Sequence, residues 1–291
     1  MSTSDVKIKL LTYNVWSNEH VAVYRRMQSI SDLIASHDPD IIFLQEVTCY
    51  IKDIIRRSPW WRQYREFTRP APGLILLTKL HKVDPRHIDP GPAWLRPPPT
   101  PEGFLSAFLD SERGSTDTNG VEHDCRLYLV CCDHRLHVAT CSPEPTQSAI
   151  RSVDRINRAH EYLGHFGKCS ISDHNVVLAG DMNWDDDLDG PFPIPVGSGW
   201  VDAWCELRGG DGAGGWTYDS VANPMLRGFK PGRTRPDRFL CKLRDFDLDS
   251  IRMVGTEAIP GVTYYDDKGD VLPVLPSHRF GLLLTISPKQ A

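Results

Sequence analysis

The stretch Val176-Val177-Leu178-Ala179-Gly180-Asp181-Met182-Asn183-Trp184 decides the reading of this chain. Four small or apolar residues, rich in β-branching, stop at Gly180, and two polar side chains then alternate along the chain. That is the pattern of a buried strand delivering reactive groups at its carboxyl end. The strand period of two puts Asp181 and Asn183 on one side. A carboxylate beside an amide in that position suits hydrolysis of a phosphate ester: the carboxylate accepts a proton from water, and the amide N–H₂ hydrogen-bonds phosphoryl oxygens as charge builds on them. The same residues also suit a strand followed by an Asx turn, in which both side chains satisfy backbone groups.

Upstream, Val6 to Tyr13 begins with apolar/polar alternation and releases Asn14 at its tip, the pattern of a second strand. Val21 to Ser36 carries Val23, Met27, Ile30 and Ile34 at helical spacing, with Arg25, Arg26, Gln28 and Asp32 between them, so a surface helix follows. Asp38-Pro39-Asp40 breaks that helix, and Ile41-Ile42-Phe43-Leu44 reads as a buried strand ending at Gln45-Glu46. Strand, helix and parallel strand form a right-handed crossover unit, which places Asn14 and Glu46 near each other. A carboxylate at the end of an apolar strand is costly to bury unless it meets a cation or strong donors. Glu46 therefore suits a hard divalent metal, or else the N-terminal dipole of a helix over residues 47–57.

Length and composition bound the rest. The 291 residues, 40% of them hydrophobic, suffice for one large α/β domain. Met1 to Lys9 is polar and shows no secretion signal, and no apolar run is long enough to span a bilayer. The eight cysteines are scattered without a Cys-x-x-Cys pair, as reduced thiols of an intracellular protein would be. A net charge of −5 excludes a coat protein that binds nucleic acid through bulk positive charge, though not an enzyme that grips a nucleic-acid end locally.

Thr12-Tyr13-Asn14, Leu44-Gln45-Glu46-Val47, Gly180-Asp181-Met182-Asn183 and Asp237-Arg238 occur in the order and approximate spacing of the endonuclease/exonuclease/phosphatase superfamily, which the chain resembles from Leu10 to Ile286. Within it the chain looks most like the tyrosyl-DNA phosphodiesterase 2 group, plant-type members above all. The strings that carry this are Asn183-Trp184-Asp185-Asp186 with Gly190-Pro191-Phe192-Pro193, Trp200-Val201-Asp202-Ala203-Trp204 and Trp216-Thr217-Tyr218-Asp219. The resemblance implies an α/β (α+β) fold like deoxyribonuclease I, a four-layer α-β-β-α sandwich of two mixed sheets. The domain would span residues 10–291 after a short polar segment, 1–9. Gly73 to Leu80 resembles a core strand of the family, and Leu127 to Val130 and Leu136 to Ala139 should return to the sheet. The Pro-rich stretch His87 to Gly103 and the polar stretch Ser111 to His123 read as loops.

The resemblance also implies chemistry. Glu46, assisted by Asn14, would bind Mg²⁺, with Mn²⁺ an acceptable substitute. Asp181 would activate water, Asn183 would hold the phosphate, and His278 or Arg279 would stabilise the transition state. His137, Thr140, Trp216, Asp237, Arg238 and Arg279 would contact or brace the substrate, a 5′-phosphotyrosyl end of DNA. The protein would then be a monomeric DNA-repair hydrolase of the nucleus or cytoplasm, with no membrane partner. Arg151 to Gly164 reads as a helix with Val153, Ile156, Ala159 or His160, and Leu163 on one face, and with Arg155 and Arg158 solvated. Trp200 and Trp204 read as core, whereas Trp216 precedes a loop and suits stacking contacts. Asp237 and Arg238 suit a structural salt bridge.

Two motifs depart from the family pattern. His137-Val138-Ala139-Thr140 has Ala139 where the family has Glu, and Ser277-His278-Arg279-Phe280-Gly281 stands where the family has Ser-Asp-His, an aromatic residue and Gly. Aligned through Phe280-Gly281, His278 replaces the Asp and Arg279 the His; with one residue deleted, His278 instead takes the catalytic place. These losses open a second reading, a catalytically impaired relative that binds nucleic acid or a protein partner. A third is another phosphodiesterase of the superfamily, acting on abasic DNA, RNA tails or phospholipid headgroups.

Overall fold

In the computed structural model the chain is described over residues 7–67, 73–79, 107–110, 115–116, 122–123, 126–132, 136–142, 151–168, 175–210 and 214–290. The first part runs β1 (Ile8–Asn14), α1 (Val23–His37), β2 (Ile41–Val47), α2 (Cys49–Ile55), β3 (Tyr64–Glu66) and β4 (Gly73–Lys79). Next come β5 (Ala107–Asp110), β6 (Ser115–Thr116), β7 (Glu122–His123), β8 (Arg126–Cys132), β9 (Leu136–Ser142), α3 (Ser152–Lys168) and β10 (Asn175–Asp181). The last part holds α4 (Asp186–Asp189), β11 (Val201–Asp202), α5 (Ala203–Arg208), β12 (Tyr218–Asp219), β13 (Arg233–Thr234) and β14 (Asp237–Lys242). It closes with β15 (Phe246–Val254), β16 (Thr263–Tyr265), β17 (Val271–Pro273) and β18 (Gly281–Pro288).

Two six-stranded sheets result, in the orders β15-β18-β1-β2-β4-β3 and β11-β14-β10-β9-β8-β5. Each is mixed: β1 and β2 are parallel, as are β10 and β9, and their other neighbours are antiparallel. Alternation decides what each face carries. Leu10, Phe43, Leu76, Val138, Val177, Phe239 and Leu284 point inward and form the core between the sheets, with Phe43 and Phe239 edge to face at 6.3 Å. Residues of the opposite parity, such as Leu11, Ile42, Leu44 and Ile75, pack outward with Met27, Ile30 and Ile34 of α1 and Ile51 of α2. On the other sheet Val176, Leu178 and Leu240 pack with Ala159 and Leu163 of α3. Four layers, α-β-β-α, follow from these three interfaces. Met27, Ile30 and Ile34 are each fully buried, and each stabilises the outer layer by about 1.5–3 kcal/mol.

The N-terminal elements match their sequence patterns closely. α1 ends where Asp38 turns to φ 48° and donates its N–H to Ile34 O at 2.9 Å, and Pro39 prevents continuation. β1 starts at Ile8, which is buried in the core. Cys49 and Cys241 are unbridged thiols. Among the described residues no helix is long and apolar enough to cross a membrane. The Pro-rich stretch 87–103 lies outside the described residues.

Three expectations need correction. The polar stretch 111–123 contains a two-residue ladder, Ser115–Thr116 with Glu122–His123, which needs only backbone hydrogen bonds and so left no apolar signal. On α3 the inward positions are Arg155, Ala159 and Leu163, while Val153 is 65% exposed. Arg155 is buried because Asp189 of α4 meets it twice, at 2.7 Å and 2.8 Å. A buried guanidinium with a bidentate carboxylate partner occupies the helix face that an apolar residue would otherwise take. Arg26, placed on the solvent side by its charge, is fully buried on α1 between Val23 and Ile30.

Candidate active site at the strand tips

The inward-facing parity that builds the core also builds the site. Asn14 ends β1 on the same face as Leu10, Asp181 ends β10 on the same face as Val177, and Asp237 begins β14 on the same face as Phe239. Asp181 and Asp237 are direct cross-strand partners, so two carboxylates share one face. Gly180 reaches this position at φ 141°, a backbone conformation that side chains rarely adopt, which explains the glycine before Asp181.

Glu46 has outward parity on β2, yet it arrives at the site. The β2–β4 ladder shifts register between Gln45 and Val47, and Glu46 takes φ 57°. A bulge at a strand end re-aims one side chain while the flanking residues keep their faces. Three non-glycine residues of this cluster, Trp16 (φ 62°), Glu46 (φ 57°) and Asn183 (φ 49°), have positive φ, backbone strain that persists only where surrounding contacts enforce it.

Those contacts are hydrogen bonds. Asn14 Nδ2 donates to Glu46 Oε1 and to Asp181 Oδ2, both at 2.8 Å, and thereby ties the two sheets together. Its Oδ1 accepts from Trp16 N at 2.9 Å. Ser17 donates to Glu46 Oε2 from both N and Oγ, each at 3.0 Å. Asn183 N donates to Asp181 Oδ1 at 2.8 Å, so Asp181 closes an Asx turn and faces the cluster at once. The Asx-turn and active-site readings of this stretch are therefore compatible.

Arg279 fills the centre. Its Nη2 lies 3.5 Å from Asp181 Oδ2 and 3.4 Å from Asn183 Oδ1, and its Nη1 lies 4.0 Å from Asp237 Oδ2. The Tyr218 ring supports the guanidinium at 5.4 Å. Thr217 Oγ1 donates to Asp237 Oδ2. His278 turns the other way: its Nε2 is 4.0 Å from Glu46 Oε1, and its ring packs on Trp16 at 5.4 Å. Arg279, and not His278, therefore faces the Asp181–Asn183 pair. The flanking residues are fixed too. Ser277 Oγ donates to Asn14 O at 2.6 Å, and at Gly281 an added Cβ would sit 2.2 Å from Tyr13 Cδ2.

Charge in the cluster is unbalanced. Burial, and then the neighbouring Asp181 carboxylate, push the Asp237 carboxyl up to about 7, against the pull of Arg279. Burial disfavours charge on Arg279, but Asp181, Asp237 and Glu46 outweigh it and raise its pKa. Burial and the Arg279 guanidinium hold His278 well below the usual imidazole range, so this ring is neutral at neutral pH.

The remaining sequence candidates are distributed around this centre. Thr140 sits on β9 facing the core between the sheets, beside Ala179, whereas His137 has the opposite parity and is not brought to the cluster. Trp216 is half-buried next to Thr217 with the Arg233 guanidinium 4.9 Å over its ring, while Trp200 and Trp204 are buried. Asp237 and Arg238 do not pair with each other, because neighbours on a strand point to opposite faces. Arg238 donates to Asp202 at 2.8 Å and Asp186 at 2.7 Å on the outer face, and Arg235 meets Asp202 at 2.7 Å. Burial opposes the charge of Asp202, but Arg238 and Arg235 outweigh it and hold its pKa below the usual range.

Sequence reasoning missed Ser17, Tyr218 and Arg26. Arg26 carried a signal: it sits three residues after Val23 and four before Ile30, on the apolar stripe. Ser17 carried none, since it acts through a loop, and Tyr218, though part of the Trp216-Thr217-Tyr218-Asp219 string, lies on a two-residue strand whose lack of periodicity gave it no role at the site.

The profile of the Endonuclease/Exonuclease/phosphatase family matches residues 11–257. Among solved structures, D. rerio TDP2 complexed with single-strand DNA product is similar with a TM-score of 0.69 at 19% identity, over 97% of this chain and 100% of that one. Truncated Caenorhabditis elegans TDP2 gives 0.69 at 16% identity, over 97% and 98%. The human Nocturnin catalytic domain with bound sulfate gives 0.61 at 14% identity, over 97% and 95%. At these identities the likeness establishes the fold. Comparison with curated protein sequences gives no match.

Proposed function

Because the chain belongs to the endonuclease/exonuclease/phosphatase family, a family of phosphate-ester hydrolases, we propose that it is a divalent-metal-dependent phosphodiesterase acting on 5′-phosphotyrosyl ends of DNA, in the manner of a DNA-repair enzyme. The observation that carries this reading is the convergence of Asn14, Glu46, Asp181, Asn183 and Arg279 at the strand tips of both sheets. The likeness to a TDP2 structure that holds single-strand DNA product supports DNA as the polymer.

The donor set fits a hard cation. The Glu46 side chain is 36% exposed, at the mouth of the cluster, and Mg²⁺ is commonly held by one or two carboxylates with water and phosphate oxygens completing its shell. Glu46, Asp181 and Asp237 stand against the single guanidinium of Arg279, and burial, followed by the Asp181 carboxylate, raises the pKa of Asp237 in spite of that guanidinium. When bound, a dication would supply positive charge to the phosphoryl and leaving oxygens. Asn14 offers this place its amide nitrogen, so it orients Glu46 and does not present it with an oxygen donor.

The side chains then divide the work. Asp181, held by Asn14 and Asn183 N, accepts a proton from the water that attacks phosphorus. As the new P–O bond forms and the bond to the tyrosyl oxygen breaks, charge grows on the phosphoryl oxygens. Arg279 and the Asn183 amide donate to those oxygens. The tyrosyl oxygen leaves, and a 5′-phosphate remains on the DNA.

The Ser277-His278-Arg279 motif favours a second reading, a binding module without turnover. One experiment separates the two. A 5′-phosphotyrosyl oligonucleotide is incubated with the protein and Mg²⁺ or Mn²⁺, and release of tyrosine and binding are measured on the same sample. Release that stops with chelator supports the enzyme; binding without release under either ion refutes it.

A further inference from the structure

We propose that His278 is a second protein ligand of the cation at Glu46, giving this chain a mixed oxygen and nitrogen site that favours a first-row transition-metal dication over Mg²⁺. This rests on the metal-dependent reading above and goes beyond it in naming the donor and the preference.

Elimination leads to His278. A cation at Glu46 needs further donors, and Asn14 does not supply one, because its Oδ1 accepts from Trp16 N while its Nδ2 faces Glu46 and Asp181. The Ser17 hydroxyl donates to Glu46 Oε2 on the other side of the carboxylate. His278 Nε2 is 4.0 Å from Glu46 Oε1, within the span of about 4.2 Å that two metal–ligand bonds of about 2.1 Å can bridge. The imidazole is only 8% exposed, and Glu46, held by Asn14 and Ser17, keeps its carboxylate beside it.

The ring is also held for the purpose. Trp16 packs on it at 5.4 Å, and the Arg26 guanidinium lies 4.8 Å from the Trp16 ring. Arg279 Nε donates to Nε2 at 3.4 Å, a long contact that is given up at little cost and leaves the Nη groups on Asp181 and Asn183 undisturbed. Imidazole suits Zn, Cu, Fe and Ni ions, and carboxylate and water suit Mg²⁺ and also Mn²⁺, so an imidazole in this place moves the preference away from Mg²⁺, with Mn²⁺ the weakest-binding but paramagnetic member of the transition-metal series.

Mn²⁺ is the probe. Its binding is followed by electron paramagnetic resonance on the full chain and on His278→Asp, His278→Asn and Glu46→Gln, with Mg²⁺ as competitor and circular dichroism to confirm folding. In the native protein the pulsed spectrum should show coupling to an imidazole nitrogen, and both His278 variants should lose it. The preference for Mn²⁺ over Mg²⁺ should fall by about tenfold in His278→Asp, the lower end of what loss of a group supporting a metal site costs. His278→Asn keeps the test open should the Asp variant fail to fold. Mn²⁺ bound without nitrogen coupling, but lost in Glu46→Gln, overturns the role of His278 and leaves the metal-dependent reading standing. Failure of the native protein to bind either ion overturns both.

Discussion

Replacing Arg26 by Met tests how the loop between β1 and α1 holds the site. The guanidinium is fully buried, donates to Val21 O at 2.8 Å, Val15 O at 2.9 Å and Asn18 O, and stacks on Trp16. Burial pushes its pKa down to about 10, which corresponds to a cost of about 3 kcal/mol for keeping the charge inside. Hydrogen bonds from a charged donor contribute about 1.5–3 kcal/mol each, so the three outweigh that cost by about 1.5–6 kcal/mol. Methionine fills the slot but leaves three carbonyls without this donor. For a chain of this size a loss near 3 kcal/mol lowers Tm by about 6–12 °C, which calorimetry would read directly. Arg26→Lys should recover less than half, because one ammonium cannot reach three diverging carbonyls. Since Trp16 and Ser17 lie on the same loop, Mn²⁺ affinity at Glu46 should fall in parallel with Tm. An unchanged Tm in Arg26→Met, or a lowered Tm with unchanged Mn²⁺ affinity, would refute the argument that Arg26 positions this loop.

Three further outcomes follow from the cluster. Asp181→Asn keeps the shape and removes the proton acceptor, so turnover of the 5′-phosphotyrosyl oligonucleotide should fall by about two to four orders of magnitude; comparable turnover would leave Asp181 with only its Asx-turn role. Arg279→Ala should cost about two to three orders in kcat, as for loss of one transition-state donor, and Arg279→Lys should restore little, since a point charge cannot face Asp181 and Asn183 together. Asp237 has a folded pKa raised to about 7, so the protonated native state is favoured at low pH, and the metal-free protein should lose up to about 4 kcal/mol as pH rises from about 4 to 7. Denaturant midpoints across that window should slope downward in the native protein and be flatter in Asp237→Asn; equal slopes would remove Asp237 as the titrating group.

Legibility in the sequence followed periodicity. The strands ending at Asn14 and Asp181, and the helix between the first two strands, announced themselves because one buried face repeats every two or about 3.6 residues. Asn14 and Glu46 were placed together from the parallel crossover alone, and their amide and carboxylate meet at 2.8 Å. What periodicity could not give was the bulge at Glu46, which turns an outward position into the site. Nor could charge reveal burial: Arg26 is buried because carbonyls of the loop before α1 meet it, and Arg155 and Arg238 because carboxylates far away in sequence do. The order of His278 and Arg279 was open for the same reason, since which of two adjacent residues faces Asp181 depends on the loop anchored by Ser277 to Asn14 O.

The exchange of the family's Asp-His for His278-Arg279 is best understood through charge. An imidazole that stabilises a phosphoryl transition state needs a carboxylate to keep it protonated and oriented. A guanidinium is charged without help and needs only a place that tolerates its burial. The cross-strand carboxylates Asp181 and Asp237 provide that place, raising the pKa of Arg279 despite burial. With a permanent cation at 279, a carboxylate at 278 would lose its task, and its absence lowers the negative charge of a cluster in which burial, and then Asp181, already push Asp237 toward neutrality. The same exchange weakens the field that attracts a dication to Glu46. On the proposed assignment an uncharged nitrogen at 278 would restore a metal donor there without restoring the charge, so the two substitutions would be coupled: Arg279 would take over the phosphate, and His278 would serve the cation. Reverting His278 alone to Asp should therefore strengthen Mg²⁺ binding and also add a carboxylate near Arg279, whereas reverting Arg279 alone to His should leave the phosphate facing a neutral ring. Only the paired reversion keeps both tasks assigned, and turnover in the two single variants should fall below that of the native and the doubly reverted chain.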